Sequence, residues 1–175
     1  RVYEMFSGDF EKAAPWSNAS IRGSRRFLER VWALQEQLLP QEDIRPALLS
    51  AVHKTIRKVD EDIENLKFNT AIAAMMALLN DFYAAGGVTR GELRVLLTLL
   101  NPFAPHMTEE IWEQQHMGGT VAAQSWPQFD PACCKEDTVE IVVQVCGKIR
   151  AKLTVDPEIS AEDAVAAAKA MQEAE

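Results

Sequence analysis

A chain of 175 residues, 47% of them hydrophobic, can bury one large core, or one core and a small second unit. No run of about 18 apolar residues occurs, so no membrane-spanning helix is expected, and three cysteines, two of them adjacent, fit neither a disulfide framework nor a metal spacing. The net charge of -8 argues, taken whole, against nucleic acid, but Lys and Arg outnumber Asp and Glu over residues 1–58 and are well outnumbered afterwards, and local patches decide phosphate binding.

Residues 1–6 read as the end of a helix or strand begun upstream. The start on Arg1 shows neither an initiator Met nor a signal segment, as expected of a piece of a longer protein. Ser7-Gly8 breaks this element, and Pro15-Trp16-Ser17-Asn18 offers a loop with a helix cap. The first long helix is expected to run to about Leu39, where Pro40 stops it. Phe27, Leu28, Val31, Leu34, Leu38 and Leu39 share its apolar face, with Trp32 at the edge. Arg22, Arg26 and Arg30 recur at i, i+4 and i+8 on the opposite face. Stacked like charges destabilise a helix by about 0.2–0.5 kcal/mol per pair. Only Glu29 is near enough to offset them, and it also faces Arg25. Such a column fits either a solvated surface or an anion outside the chain.

Asp43 is a candidate cap for a second helix, with Pro46 in its first turn. Leu48, Val52, Ile56, Val59, Ile63 and Leu66 make its apolar stripe. His53, Lys54, Arg57 and Lys58 lie off that stripe, and Arg57–Glu61 and Lys58–Asp62 are i, i+4 pairs. His53 stands at no metal spacing and reads as a packing or hydrogen-bonding residue. Asn69 can cap a third helix, with Ile72, Met75, Met76, Leu79, Phe82 and Tyr83 on its apolar side and Gly86-Gly87 at its end. Thr89-Arg-Gly-Glu92 is a capping box opening a fourth helix rich in leucine, and Asn101-Pro102 interrupts it. A fifth helical segment is expected over residues 108–116, with Glu109 and Glu110 in its first turn, where the helix dipole favours them. His106 reads as a structural hydrogen-bonder, since no nucleophile or carboxylate forms a catalytic arrangement with it.

Gly118-Gly119 marks a boundary. The expected organisation is a helical bundle over residues 1–119, an extended connector over 120–137, and the start of a small α+β domain over 138–175, truncated at its end. In this last part the period changes to two, and strands either side of Cys146-Gly147 form a hairpin with a two-residue turn. Strict alternation would put Lys148, Arg150 and Lys152 on one face, either as a second cationic site or as an ordinary solvated strand face. Ser160 is expected to cap a last helix over 161–175. There is no Gly-rich phosphate loop and no nucleophile signature. The residues by themselves describe a mainly α protein, a helical bundle with a hairpin appendix, better suited to binding than to catalysis.

The motifs Arg26-Phe-Leu-Glu-Arg-Val-Trp32, His53-Lys-Thr-Ile56, Phe68-Asn-Thr-Ala-Ile72, Leu100-Asn-Pro-Phe-Ala-Pro-His106 and Val143-Gln-Val-Cys-Gly-Lys-Ile-Arg-Ala-Lys152 cover nearly the whole chain. In that order they resemble the C-terminal, anticodon-binding region of the bacterial-type leucyl-tRNA synthetases, a class I aminoacyl-tRNA synthetase family. The resemblance implies a cytoplasmic enzyme with no membrane segment, which uses ATP and Mg to join leucine to its tRNA. Neither class I nucleotide signature, His-Ile-Gly-His or Lys-Met-Ser-Lys-Ser, is present here. This stretch is therefore expected to be non-catalytic and to hold no cofactor. Its partners would be leucine tRNA and the catalytic domain of the same polypeptide.

The resemblance also implies that the bundle grips the tRNA backbone and stem rather than reading anticodon bases. Arg22, Arg26 and Arg30 would then contact phosphates, with Lys148, Arg150 and Lys152 as a second group and Lys54 and Lys58 as a third. One departure is that Cys146 stands where the family usually has Asn before the turn glycine. Cys disfavours the positive φ of a type I′ turn, at a cost of about 1 kcal/mol. The alternatives are the same domain of a valyl, isoleucyl or methionyl synthetase, or a helical scaffold docking a protein partner through an exposed apolar face.

Overall fold

The structure is a computed structural model that describes residues 1–9, 12–13 and 15–134, the backbone of two strands, and Asp163 and Val165. The chain divides into two units, Arg1–Cys134 and Lys135–Glu175. The first is helical: α1 (Val2–Phe6), α2 (Asn18–Leu34), α3 (Pro46–Glu64), α4 (Phe68–Ala84), α5 (Arg90–Leu100) and α6 (Pro105–Gln114). Short 3-10 turns follow α2 at Gln35–Gln37 and α6 at Val121–Ala123.

The apolar stripes meet in one core. Phe27, Val31 and Leu34 of α2, Val52, Ile56 and Val59 of α3, and Ile72, Met75, Leu79 and Phe82 of α4 are buried there with the leucines of α5 and Trp112 of α6. α3 packs along α4, and α1 and α2 also lie against α4.

Several expected boundaries move, each for a local reason. α2 ends at Leu34, not near Leu39. From Gln37 the chain is drawn into extended pairing with the segment before α5: Val88 donates to the Gln37 carbonyl (3.1 Å), Leu39 to Val88 (2.8 Å) and Arg90 to Gln41 (3.1 Å). Asp43 caps nothing; Arg45 is the N-cap of α3 and Pro46 its first residue, where a missing N–H costs nothing. Lys67, not Asn69, precedes α4. Leu66, counted in the α3 stripe, lies past the helix end at φ 56° and is exposed. α6 starts at Pro105, which puts Glu109 beyond its first turn. Glu109 instead accepts from the N–H groups of Val121 (2.8 Å) and Ala122 (2.9 Å), satisfying the opening of the 3-10 turn.

Residues 121–134, expected as an extended connector, lie on the bundle. Val121 is buried, Trp126 and Phe129 pack against the core, and the Asp130 N–H donates to His53 Nδ1 (2.9 Å). His53 thus has the hydrogen-bonding role its surroundings suggested. His106 is exposed.

In the second unit β1 (Val139–Val145) pairs antiparallel with β2 (Lys148–Val155). The register runs Val142↔Lys152, Val143↔Ala151, Gln144↔Ile149 and Val145↔Lys148, so it skips Arg150. That irregularity interrupts the strict alternation on which a single face of Lys148, Arg150 and Lys152 depended. The Cys146-Gly147 turn, and the expected last helix apart from the helical residues Asp163 and Val165, lie outside the described residues.

One buried charge knits the first unit together. The capping box at Thr89 forms as expected, with Thr89 Oγ1 accepting from the Glu92 N–H (3.3 Å) and Glu92 Oε2 from the Thr89 N–H (2.9 Å). The sequence did not announce its partner. Arg45, 47 residues earlier, donates to Glu92 from its backbone N–H (3.0 Å), Nε (2.8 Å) and Nη2 (2.8 Å). Its guanidinium also reaches the Ala85 (3.0 Å) and Gly87 (2.7 Å) carbonyls at the end of α4. Burial pushes the Glu92 carboxyl up, but the hydrogen bonds from Arg45 and Thr89 outweigh it and hold the group below the usual carboxylate range.

A carboxyl depressed in the folded state contributes stability above its unfolded value, about pH 4.3, and that contribution is lost as pH falls toward the folded value. Glu92→Gln is therefore expected to cost about 2 kcal/mol at pH 7. It should also flatten the acid limb below about pH 4.3, as read by urea unfolding at pH 7, 5, 4 and 3.

Candidate nucleic-acid interface

α2 is seated before its arginines are considered. Ser17 caps it by accepting from the Ser20 N–H (3.3 Å), and the Ser17 N–H donates to the Tyr3 hydroxyl (2.8 Å), which ties the helix start to α1. With Phe27, Val31 and Leu34 in the core, the opposite face is fixed toward solvent. Arg22 and Arg26 lie there, exposed, and neither makes an ion pair with a described residue. One turn apart in sequence, they stand about 6 Å apart along the axis.

The two neighbouring arginines behave differently. Arg25 takes Glu29, the only acid of α2, in a 2.8 Å ion pair, and the hydrogen bond and charge of Glu29 raise the guanidinium pKa. Glu29 is thus engaged by Arg25. Arg30 is half-buried and meets neutral groups: its Cζ lies 4.7 Å from the centre of the Tyr83 ring, and Nη1 donates to Asn80 Oδ1 (2.7 Å). The Tyr83 hydroxyl donates to the Arg30 carbonyl (2.8 Å). Sequence reading placed Tyr83 on the apolar side of its helix and gave Asn80 no role. The two are i, i+3 on one face of α4, but 50 residues separate Asn80 from Arg30, and no local pattern links them.

The α3 cations lie on another helix. Lys58 is tied to Asp62 (2.7 Å), whose carboxylate is nearly buried and whose second oxygen has no partner among the described residues. Arg57 pairs with Glu61 at 3.4 Å, as its spacing suggested. Lys54 is half-buried on the same helix. Lys148, Arg150 and Lys152 are placed in β2 by their backbone, and their side chains lie outside the described residues. Other arginines are structural: Arg90 bonds Glu42 and the Gln115 carbonyl, and Arg94 stacks over Trp112. Among the described residues no group of three or more His, Cys, Asp or Glu is placed to hold a metal ion, and no helix is long and apolar enough to cross a membrane. Cys133 is held above the usual thiol range by desolvation and then by the charge of Asp130.

The helical bundle thus presents exposed arginines on the solvent face of one helix, a surface suited to binding an anion. Residues 46–165 match the model of the anticodon-binding domain of tRNA ligases, and the chain belongs to that family. Within it, the chain is 49% identical over 162 residues to the leucine–tRNA ligase of Alkaliphilus oremlandii, covering 93% of this chain and 20% of that protein. To the leucine–tRNA ligase of Bdellovibrio bacteriovorus it is 42% identical over 178 residues, covering 99% of this chain and 22% of that protein. The chain therefore spans about a fifth of the length of the curated relatives it matches, and what it matches is their anticodon-binding region. A solved ternary complex of Agrobacterium radiobacter K84 agnB2 LeuRS with tRNA and LeuAMS superposes with a TM-score of 0.75 at 28% identity, covering 99% of this chain and 24% of that one. A valyl, isoleucyl or methionyl assignment is not favoured by these relatives.

The geometry separates cations free to bind from those already committed. Arg22→Ala and Arg26→Ala are expected to shift stability by no more than about 0.5 kcal/mol in thermal unfolding. Lys58→Ala should cost about 1 kcal/mol, because it strips the buried Asp62 carboxylate of its partner.

Proposed function

We propose that this chain holds leucine tRNA by its phosphate backbone within a cytoplasmic leucine–tRNA ligase. Leucylation with ATP and Mg would be carried out by parts of the enzyme outside this chain. The residues described here do not fit a nucleotide–metal site, so no chemical step is assigned to them.

The observation that carries the reading is the sorting of the α2 arginines. The one acid of α2 is taken by Arg25, which leaves Arg22 and Arg26 exposed with no carboxylate among the described residues and Arg30 on neutral partners. Each guanidinium can give two parallel N–H donors to one phosphate, fixing position without reading sequence. Lys54 and Lys58, and Lys148, Arg150 and Lys152 on β2, are proposed as further backbone contacts. Lys58 must share its charge with Asp62 and adds less. A protein-docking scaffold has less support. Among the described residues of the first unit the exposed large apolar side chains are Trp16, Trp32 and Leu66, on three separate stretches of the chain.

The test is the salt dependence of binding to a leucine tRNA transcript, followed by fluorescence anisotropy. With a net charge of -8 the chain is expected to bind measurably only at low salt. Arg22→Ala with Arg26→Ala should weaken binding and lower the slope of log K against log salt by about one to two. A slope equal to that of the wild type would remove the proposed role.

A further inference from the structure

We infer that Asn80 joins Arg30 in a phosphate clamp built across α2 and α4, with Tyr83 positioning the guanidinium. The inference rests on the reading above and extends it to a second helix. An arginine carries five N–H donors and no acceptor. Its 2.7 Å bond to Asn80 therefore requires the amide oxygen, which turns the Asn80 NH2 group away from Arg30. The Asn80 NH2 group and the remaining Arg30 N–H groups stay available as donors, and Arg30 makes no ion pair with a described carboxylate, Asp81 beside Asn80 included. The Tyr83 ring beneath the guanidinium and its hydroxyl on the Arg30 carbonyl hold the side chain in one place, so little order remains to be imposed by a ligand. A fixed, half-buried positive charge beside a second donor on an exposed residue suits an anionic ligand that only accepts hydrogen bonds, and a phosphodiester is that group.

A purely structural role, tying α2 to α4, predicts that binding follows stability. The clamp predicts that the two separate. The full chain is titrated with a leucine tRNA transcript over a range of salt, and each variant is also melted. Asn80→Ala should weaken binding about tenfold, and should add nothing in an Arg30→Ala background. Asn80→Asp should neutralise Arg30, weaken binding at least as much and lower the salt slope by about one, while the melting temperature holds or rises. Tyr83→Leu should weaken binding with the slope retained, and Tyr83→Phe, which keeps the ring, should restore most of it. If Arg30→Ala lowers affinity and slope but both Asn80 variants match the wild type, the clamp is overturned and the α2 column stands without it. If Arg22→Ala, Arg26→Ala and Arg30→Ala all leave the slope unchanged, the phosphate reading falls and the clamp with it.

Discussion

The carboxylate of Glu92 is the point on which the arrangement turns. It is fully buried and it receives four donors, three from Arg45 and one from Thr89. Through them the start of α3, the end of α4 and the start of α5 meet at one place. The segment that leaves α2 is pinned to the same place, because Leu39 donates to the Val88 carbonyl, Val88 donates to the Gln37 carbonyl, and a Cβ on Gly87 would meet the Gln37 carbonyl oxygen at 2.4 Å. Gly91 is needed for the same reason: a Cβ there would meet the Glu42 carbonyl oxygen at 2.5 Å. Breaking a buried pair by removing one partner is among the more costly changes a fold can suffer. Here the cost would fall on the joint that orients α2 against α4.

That orientation matters because the surface chemistry depends on which arginine finds which partner. Arg45, Arg90 and Arg94 are consumed by carbonyls, carboxylates and an aromatic ring inside the bundle. Arg25 and Arg57 each take the acid four residues on. Arg22 and Arg26 take none, and Arg30 is held by groups that leave its charge intact. An acidic protein can thus present a compact positive stripe, since screening confines most of its distant acids to a Debye length of about 8 Å at physiological salt.

Much of this was legible in the sequence wherever the information is local. The stripe of α3 from Leu48 to Ile63, the capping box at Thr89 and the i, i+4 pairs of Arg57 and Lys58 are read from spacing alone and form, while Leu66, the last residue of the expected stripe, does not join it. The family motifs added what spacing could not, the anticodon-binding family to which the chain belongs. The misreadings share a cause. Leu38 and Leu39 continue the apolar face of α2 in sequence, yet backbone pairing with Val88 draws them out of the helix. Asp43 is a good cap by residue type, but Arg45 beside Glu92 decides where α3 begins. Glu109 serves a later turn, and Arg150 is skipped by the register. Asn80 and Tyr83 escaped for the same reason: their partner lies on another helix, and tertiary contact overrides local pattern.

The most direct measurement is an NMR titration of the arginine Nε–Hε signals of the isotope-labelled chain with leucine tRNA, at low salt and again at high salt. The expected result is that Arg22, Arg26 and Arg30 move together on adding tRNA and return as salt is raised, while Arg25 and Arg57, held by their own glutamates, move little. Unshifted signals from Arg22, Arg26 and Arg30 in a sample where the tRNA is bound would contradict it.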